Sequence, residues 1–298
     1  KVTYIYEEVI QEQSIIMLHG RGGVGKSYVA MQIGDAISKG ESYLGLKTKL
    51  RNVYYLDHEN PLPLLADRIR ILNIDKIWFW HNERKPPKID SDDFEVFKRL
   101  PPGLLIIDTL RSSQSLDENS SREMALIMGR LKELREMGFT ILILHHAPKG
   151  NERTYKGSTA ILDLADHVIG LYRMREGNKK HEEDDDNNED KIFRLGTVGK
   201  TRYKPFHTYL KFDPAQGFVL ATDPDSETLE SMRMILLVKG KLPQDAVFKE
   251  IRDALGIKSK GTVVSFLNKG EGQYWDVVKE GRRKLYVARR TVQLSTSI

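Results

Sequence analysis

The 298-residue sequence contains no cysteine. That excludes a disulfide framework and any thiolate-held metal. Long hydrophobic runs are also missing: nothing approaches the roughly 18–20 apolar residues that span a bilayer, so no membrane partner is expected. The opening "KVTYIYEEVI" lacks a basic start followed by an apolar block, so no signal peptide is read there. Aromatic residues are few, at 8%, but the apolar share is 40% against 30% charged, which is the balance of a globular chain. There is no internal repeat. We expect a cytoplasmic protein with one large core and a small second domain.

Charge is unevenly placed. The net charge is +5, and residues 226–298 carry 14 Lys/Arg against 8 Asp/Glu, so the rest of the chain is nearly balanced. A basic last quarter points to a polyanionic partner, most often nucleic acid. The opposite bias sits at 176–190, "EGNKKHEEDDDNNED", with eight acidic residues and no apolar one. It reads as a solvated loop. The polar, Pro-containing "TDPDSE" at 222–227 marks the domain boundary. This gives an expected first domain at 1–222 and a second at 227–298.

What is present in the first domain is an alternation. "SIIML" (14–18), "NVYYLD" (52–57), "IWFW" (77–80), "LLIID" (104–108) and "FTILILHH" (139–146) read as strands. Helices are expected over 26–38, 62–72 and 119–137. The strands are apolar throughout rather than alternating, so both sheet faces are covered. Together these predict an α/β fold with a mostly parallel sheet. After Asp166 the pattern becomes short strands joined by turns, which extends the sheet with antiparallel strands.

The motif with the strongest chemistry is "GRGGVGKS". Gly20, Arg21, Gly22, Gly23, Val24, Gly25, Lys26 and Ser27 fit G-x-x-x-x-G-K-[ST] between a predicted strand and a predicted helix, with Tyr28 next in line. Glycines let the backbone turn its N–H groups onto phosphates, and the helix N-terminus adds positive potential. Lys26 is placed for the β- and γ-phosphates of ATP and Ser27 for Mg²⁺. Asp108 ends an apolar strand, where the second Mg²⁺-associated carboxylate belongs. Glu59 in "YLDHENP" is the candidate to activate water, with Asp57 and His58 as neighbouring alternatives. His145 and His146 end another strand at the ligand-binding edge of such sheets, and His146 is nominated to sense the γ-phosphate.

"LHGRGGVGKS", "YYLDHENP", "LLIIDTLRSSQSLDENSSREMALIMGRLKEL" and "ILILHHAPKG…TYKGSTAILDLADHVIGL" resemble the RepA-type hexameric replicative helicases. They resemble equally the wider RecA-like, AAA_25-type P-loop ATPases of plasmids, phages and mobile elements. The resemblance covers residues 14 to about 220. It implies a RecA-like core, a homo-oligomeric and usually hexameric ring, and ATP sites between subunits that use Lys26, Ser27, Glu59, Asp108 and His146. It also implies that the loops at 111–121 and 147–158 face single-stranded DNA, with Lys149, Arg153 and Lys156 meeting phosphates. "GKTRY" (199–203) resembles the Lys-x-Arg pair of RecA-like ring ATPases. Arg202 is nominated as the cation acting in trans, with Lys200 beside it. An ATP-switched regulator or recombination accessory would need the same ATP site.

In the last quarter, apolar residues at helical spacing mark helices at 227–239, 244–255 and 259–268. "YWDVV" and "KLYVARR" around "KEGRR" read as a hairpin. Three helices and a basic hairpin resemble a winged helix-turn-helix domain. Lys258, Lys260, Thr262, Ser265 and Lys269 are expected to face a duplex groove, and Arg282, Arg283 and Lys284 at the wing tip to contact phosphates.

Overall fold

The computed structural model describes residues 2–146, 165–174, 191–281 and 283–290. The chain divides into two compact units, Lys1–Ala221 and Thr222–Ser297. Among the described residues no helix is long and apolar enough to cross a membrane.

The first unit opens with a small hairpin, β1 (Tyr4–Tyr6) and β2 (Ile10–Gln11). Then come β3 (Ile15–Gly20), α1 (Lys26–Lys39), β4 (Asn52–Asp57), α2 (Leu62–Ile71), β5 (Trp78–Trp80), β6 (Gly103–Asp108), α3 (Ser121–Glu136) and β7 (Thr140–His146). Four further strands follow: β8 (His167–Arg173), β9 (Ile192–Thr201), β10 (His207–Asp213) and β11 (Gly217–Leu220). The sheet order is β11-β10-β9-β8-β3-β7-β6-β4-β5. From β8 to β5 all pairs are parallel, and β9, β10 and β11 add on antiparallel.

The continuous apolar strands divide their side chains between two cores, as a pleat with period two requires. Ile16, Leu18, Val53, Tyr55, Leu104 and Ile106 join Val29, Ile33 and Ile37 of α1. Ile15, Met17, Leu56, Leu105 and Ile107 join Met124, Ile127, Met128 and Leu131 of α3. Between β5 and β6 the sequence suggests only a break, but the chain forms 3₁₀ turns at Asn82–Arg84 and Asp92–Arg99. Phe94 and Phe97 lie three residues apart, the repeat of a 3₁₀ helix, and both are buried on the α3 side.

In the second unit, α4 (Ser226–Lys239), α5 (Gln244–Leu255) and α6 (Lys260–Gly270) accompany β12 (Leu242–Pro243), β13 (Trp275–Glu280) and β14 (Arg283–Ala288). The three strands form an antiparallel sheet in the order β12-β14-β13. Leu229, Met232 and Leu236 of α4 meet Val247, Ile251, Val263, Leu267 and Trp275 in a separate core. The Trp275 indole donates to Leu267 O at 3.0 Å. One expectation is corrected here. Lys269 is not offered to a groove: its ammonium is held by Asp223 at 2.7 Å and Asp225 at 2.6 Å, which ties the start of this unit to α6. Two acids in "TDPDSE", read only as linker, made that pairing invisible in sequence.

Candidate functional site

The glycine loop leaves the C-terminal end of β3 and enters α1 directly. Three of its glycines are required by geometry: Gly23 has φ 76°, and the other two, Gly25 and Gly20, lack room for a Cβ. Gly25 has φ 98°, and a Cβ there would lie 2.6 Å from the Phe218 ring. A Cβ on Gly20 would lie 2.5 Å from Leu171 O. The loop is therefore shaped by β8 and β11 as well as by its own sequence.

Lys26 is almost fully buried, and its ammonium donates to Gly20 O and Arg21 O, both at 3.0 Å. It also lies 3.3 Å from His146 Nδ1. Burial pulls its pKa down to about 8, against the opposing charges of Asp108 and Glu59. The lysine is thus curled inside a loop that it can leave for a phosphate. Val24 and Arg21 close the turn through a 3.3 Å backbone bond, and Arg21 and Gly23 are exposed at its tip. Tyr28 packs edge-on against Phe212 at 5.1 Å, with the Arg68 guanidinium over its ring.

Asp108 lies at the end of β6. Its Oδ2 accepts from Ser27 Oγ and from Tyr55 OH, each at 2.7 Å. Burial raises its pKa to about 6, with Asp57 and Glu59 adding to the rise and the two hydroxyls opposing it. A carboxylate held that high gains from a nearby cation. One hydroxyl and one carboxylate suit a hydrated Mg²⁺ that takes its other ligands from phosphates and water.

The three candidates at the end of β4 separate cleanly. Asp57 is fully buried, and its carboxylate accepts from the backbone of Glu59 at 3.0 Å and Asn60 at 2.8 Å and from the Asn60 amide. It builds the turn. His58 is driven neutral by burial, to about 4. Glu59 is presented by that turn, about a third exposed, with its Oε1 accepting from Thr109 Oγ1 at 2.7 Å and Ser112 Oγ at 2.5 Å. Burial pushes its pKa up, but those hydroxyls and the charges of His146 and Lys26 outweigh burial and hold it low. Its other oxygen lies 4.0 Å from His146 Nε2.

His146 pairs in register with Gly20, so it stands directly beside the loop and touches both Lys26 and Glu59. His145 points the other way, buried, 3.9 Å from Glu118. Lys26, Ser27, Glu59, Asp108 and His146 therefore converge at one end of the parallel sheet.

Arg202 is elsewhere. It follows β9, whose Thr201 pairs with His167 at the start of β8. Its guanidinium Nη1 lies 2.9 Å from Asp166 Oδ1. Asp166 Oδ2 in turn accepts from Ile15 N at the start of β3, at 3.0 Å. A six-residue strand at about 3.3 Å per residue separates that point from Gly20, so Arg202 cannot serve its own loop. Lys200 lies in β9, its side chain outside the described residues, as are Lys149, Arg153, Lys156, Arg282 and the acidic 176–190 segment. Lys258, Lys260 and Arg283 are exposed on the second unit.

Sequence reasoning missed Tyr55, Thr109, Ser112 and Phe218. Thr109 and Ser112 follow Asp108 closely, a signal that was available. Tyr55 and Phe218 reach the site only through sheet pairing and left no local mark.

Three solved structures share this architecture. A DnaB-like replicative helicase, described with its interactions with primase, matches at 15% identity and TM-score 0.53, over 70% of this chain and 58% of that one. The KaiC-like protein PH0186 of the hyperthermophilic archaeon Pyrococcus horikoshii OT3 matches at 17% and 0.51, over 74% and 99%. The ATPase domain of G40P matches at 14% and 0.50, over 70% and 85%. This chain thus spans less than two thirds of the DnaB-like helicase, and the likeness is one of fold: the RecA-like P-loop α/β core. Residues 1–152, just over half of the sequence, match the AAA domain family AAA_25, and with that core around "GRGGVGKS" the chain belongs to this family of P-loop ATPases.

Proposed function

We propose that this chain is a Mg²⁺-dependent ATPase acting on DNA from a ring of identical subunits, in the manner of a plasmid- or phage-type replicative DNA helicase. One observation carries the reading. Five groups suited to ATP hydrolysis converge at one end of the sheet, while the candidate trans cation lies at the other end of the same sheet. A subunit built this way needs a neighbour to complete each site.

Lys26 leaves its carbonyl partners for the β- and γ-phosphates. Ser27 and Asp108 would hold Mg²⁺, which would supply charge neutralisation to the triphosphate. Glu59 is ionised and fixed by two hydroxyls, so it orients the attacking water and accepts its proton as the phosphoryl bond loosens. His146 bridges Lys26 and Glu59 and reports loss of the γ-phosphate to the chain that follows β7. Arg202 of a neighbouring subunit supplies transition-state charge. Lys149, Arg153 and Lys156 fall in the segment proposed to meet single-stranded DNA. The second unit is proposed as a winged helix-turn-helix that engages duplex DNA. Its support is the basic excess, the helix and hairpin order, and the exposure of Lys258, Lys260 and Arg283.

The test is ATP turnover with and without single-stranded DNA on protein of known solution mass. Several-fold stimulation and a hexameric mass are expected. A monomer with turnover indifferent to DNA would overturn the proposal. ATP-dependent duplex binding without strand separation would point instead to an ATP-switched regulator.

A further inference from the structure

Asp166 is a buried carboxylate in an unusual position for one. Its side chain is 5% exposed, yet it engages an arginine whose side chain is 58% exposed. One oxygen is fixed by the backbone N–H of Ile15 at 3.0 Å and by Arg135 Nη1 at 3.3 Å. The other faces Arg202 Nη1 at 2.9 Å. The backbone is tied too, since Arg202 N donates to Asp166 O at 3.2 Å. Ile15 opens β3, the strand that carries the glycine loop at its other end. Asp166 is therefore anchored to the rigid centre of the sheet, while among the described residues Arg202 is held by Asp166 at the end of its own strand.

A guanidinium has five N–H donors in a planar fork. The described carboxylate contact uses Nη1 and leaves the group more than half exposed. An exposed arginine with no such tether samples many rotamers and loses more entropy on ordering. One held along one edge presents the rest of its fork in a fixed direction, which is what stabilising a developing charge requires.

We propose that Asp166 is a positioning residue: it aims Arg202 at the triphosphate bound by a neighbouring subunit. This rests on the reading of Arg202 as the trans cation, and the experiment separates the two. Asp166→Asn keeps an acceptor for Ile15 and removes the charge that grips Arg202. ATP turnover is measured for D166N, R202A, R135Q and K26A proteins, each alone and in pairwise mixtures assembled before assay.

For D166N we expect kcat to fall about tenfold with KM for ATP within about twofold, because a contact made in the transition state is lost. Mixing D166N with K26A should restore turnover above the sum of the two alone. There the K26A subunit donates a well-aimed Arg202 to the intact ATP site of the D166N subunit. R202A mixed with K26A should show the same rescue. R135Q leaves the Asp166–Arg202 pair in place and should keep most of its turnover.

If R202A shows no rescue, the reading of Arg202 fails. If R202A is rescued but D166N has wild-type kcat, the role of Asp166 fails alone. An unrescued loss in D166N matched by an equal loss in R135Q would make the cluster a structural brace and overturn the proposal. Should D166N not assemble, Asp166→Glu, which keeps the charge but displaces it by one methylene, is expected to give the same lowered kcat and the same rescue.

Discussion

Asp57 and Glu59 are two residues apart and carry the same chemistry, yet one builds the turn and the other uses it. What decides is donors: the backbone N–H groups of Glu59 and Asn60 and the Asn60 amide consume Asp57, while two hydroxyls hold one oxygen of Glu59 and its other oxygen faces His146. Glu59→Gln keeps the acceptor oxygen but not the charge. It should bind ATP within a few-fold of the parent and lose at least 10²-fold in turnover, the scale of a general base. Equal loss of binding and turnover would assign the role elsewhere. Lys26→Ala should abolish turnover at any ATP concentration, and measurable hydrolysis in that variant would move the site. Gly25→Ala places a methyl into Phe218 at a positive φ, and should weaken nucleotide binding at least tenfold by isothermal titration. Phe218→Leu in the same chain should recover part of that loss, since the ring is the obstacle. The glycine loop, Asp108 and the pair of histidines were legible because each ends or follows a local apolar run. Tyr55 and Phe218 were not, because their roles depend on strands far apart in the chain lying side by side.

At the scale of elements, the parallel strands were legible from unbroken apolar runs, and helix starts and stops fell within two residues of the expected ones. The 3₁₀ segment Asp92–Arg99 was not, because charged residues mask a two-phenylalanine repeat. Two strand histidines, His19 and His167, make the sheet acid-sensitive. Burial holds both near 4, with the charges of His145 and Lys26 adding to the fall at His19. Unfolded, each titrates near 6.5. Their contribution is full above that value and is lost as the pH falls toward 4, by at most about 1.4 kcal/mol per pH unit for each histidine. Urea denaturation at pH 7 and pH 5.5 should therefore give a lower midpoint at the acid value. His58, also held near 4, acts in the same sense and Asp108, held near 6, in the opposite one, so His167→Gln should make the drop smaller than the parent's, and an equal drop would contradict the assignment. Beside the Tyr28–Phe212 ring contact, the Gln32 side chain of α1 clamps the hairpin of β10 and β11. The Gln32 amide accepts from Phe218 N at 2.9 Å and donates to Phe218 O and Gln216 O, both at 3.1 Å. Gln32→Ala should cost about 1–3 kcal/mol, the penalty for orphaned backbone groups, and should loosen nucleotide binding through Phe218.

Over the whole molecule the sequence revealed a charge asymmetry that no single motif carries. The second unit holds the basic excess, and its exposed Lys258, Lys260 and Arg283 are the residues to neutralise together. If each meets a phosphate, the triple glutamine variant should lower the slope of log K against log salt for duplex binding by about 2–3. A slope that stays the same would favour a protein partner for this unit. The boundary acids show the limit of such reading: Asp223 and Asp225 stood out only as part of a polar domain boundary, and their pairing with Lys269 appears only when α6 folds back on them.

If Arg202 acts in trans as proposed, the reversal of direction at β9 puts that cation at one end of the sheet and the loop it would serve at the other. Such a subunit is suited to head-to-tail growth, a heterologous contact. An open row then always ends in one loop without a cation and one cation without a loop. Closing the row removes both defects in a single step. On that proposal specific activity should rise with subunit concentration until closure and then stay flat, and turnover per subunit that is the same for isolated and assembled subunits would contradict it.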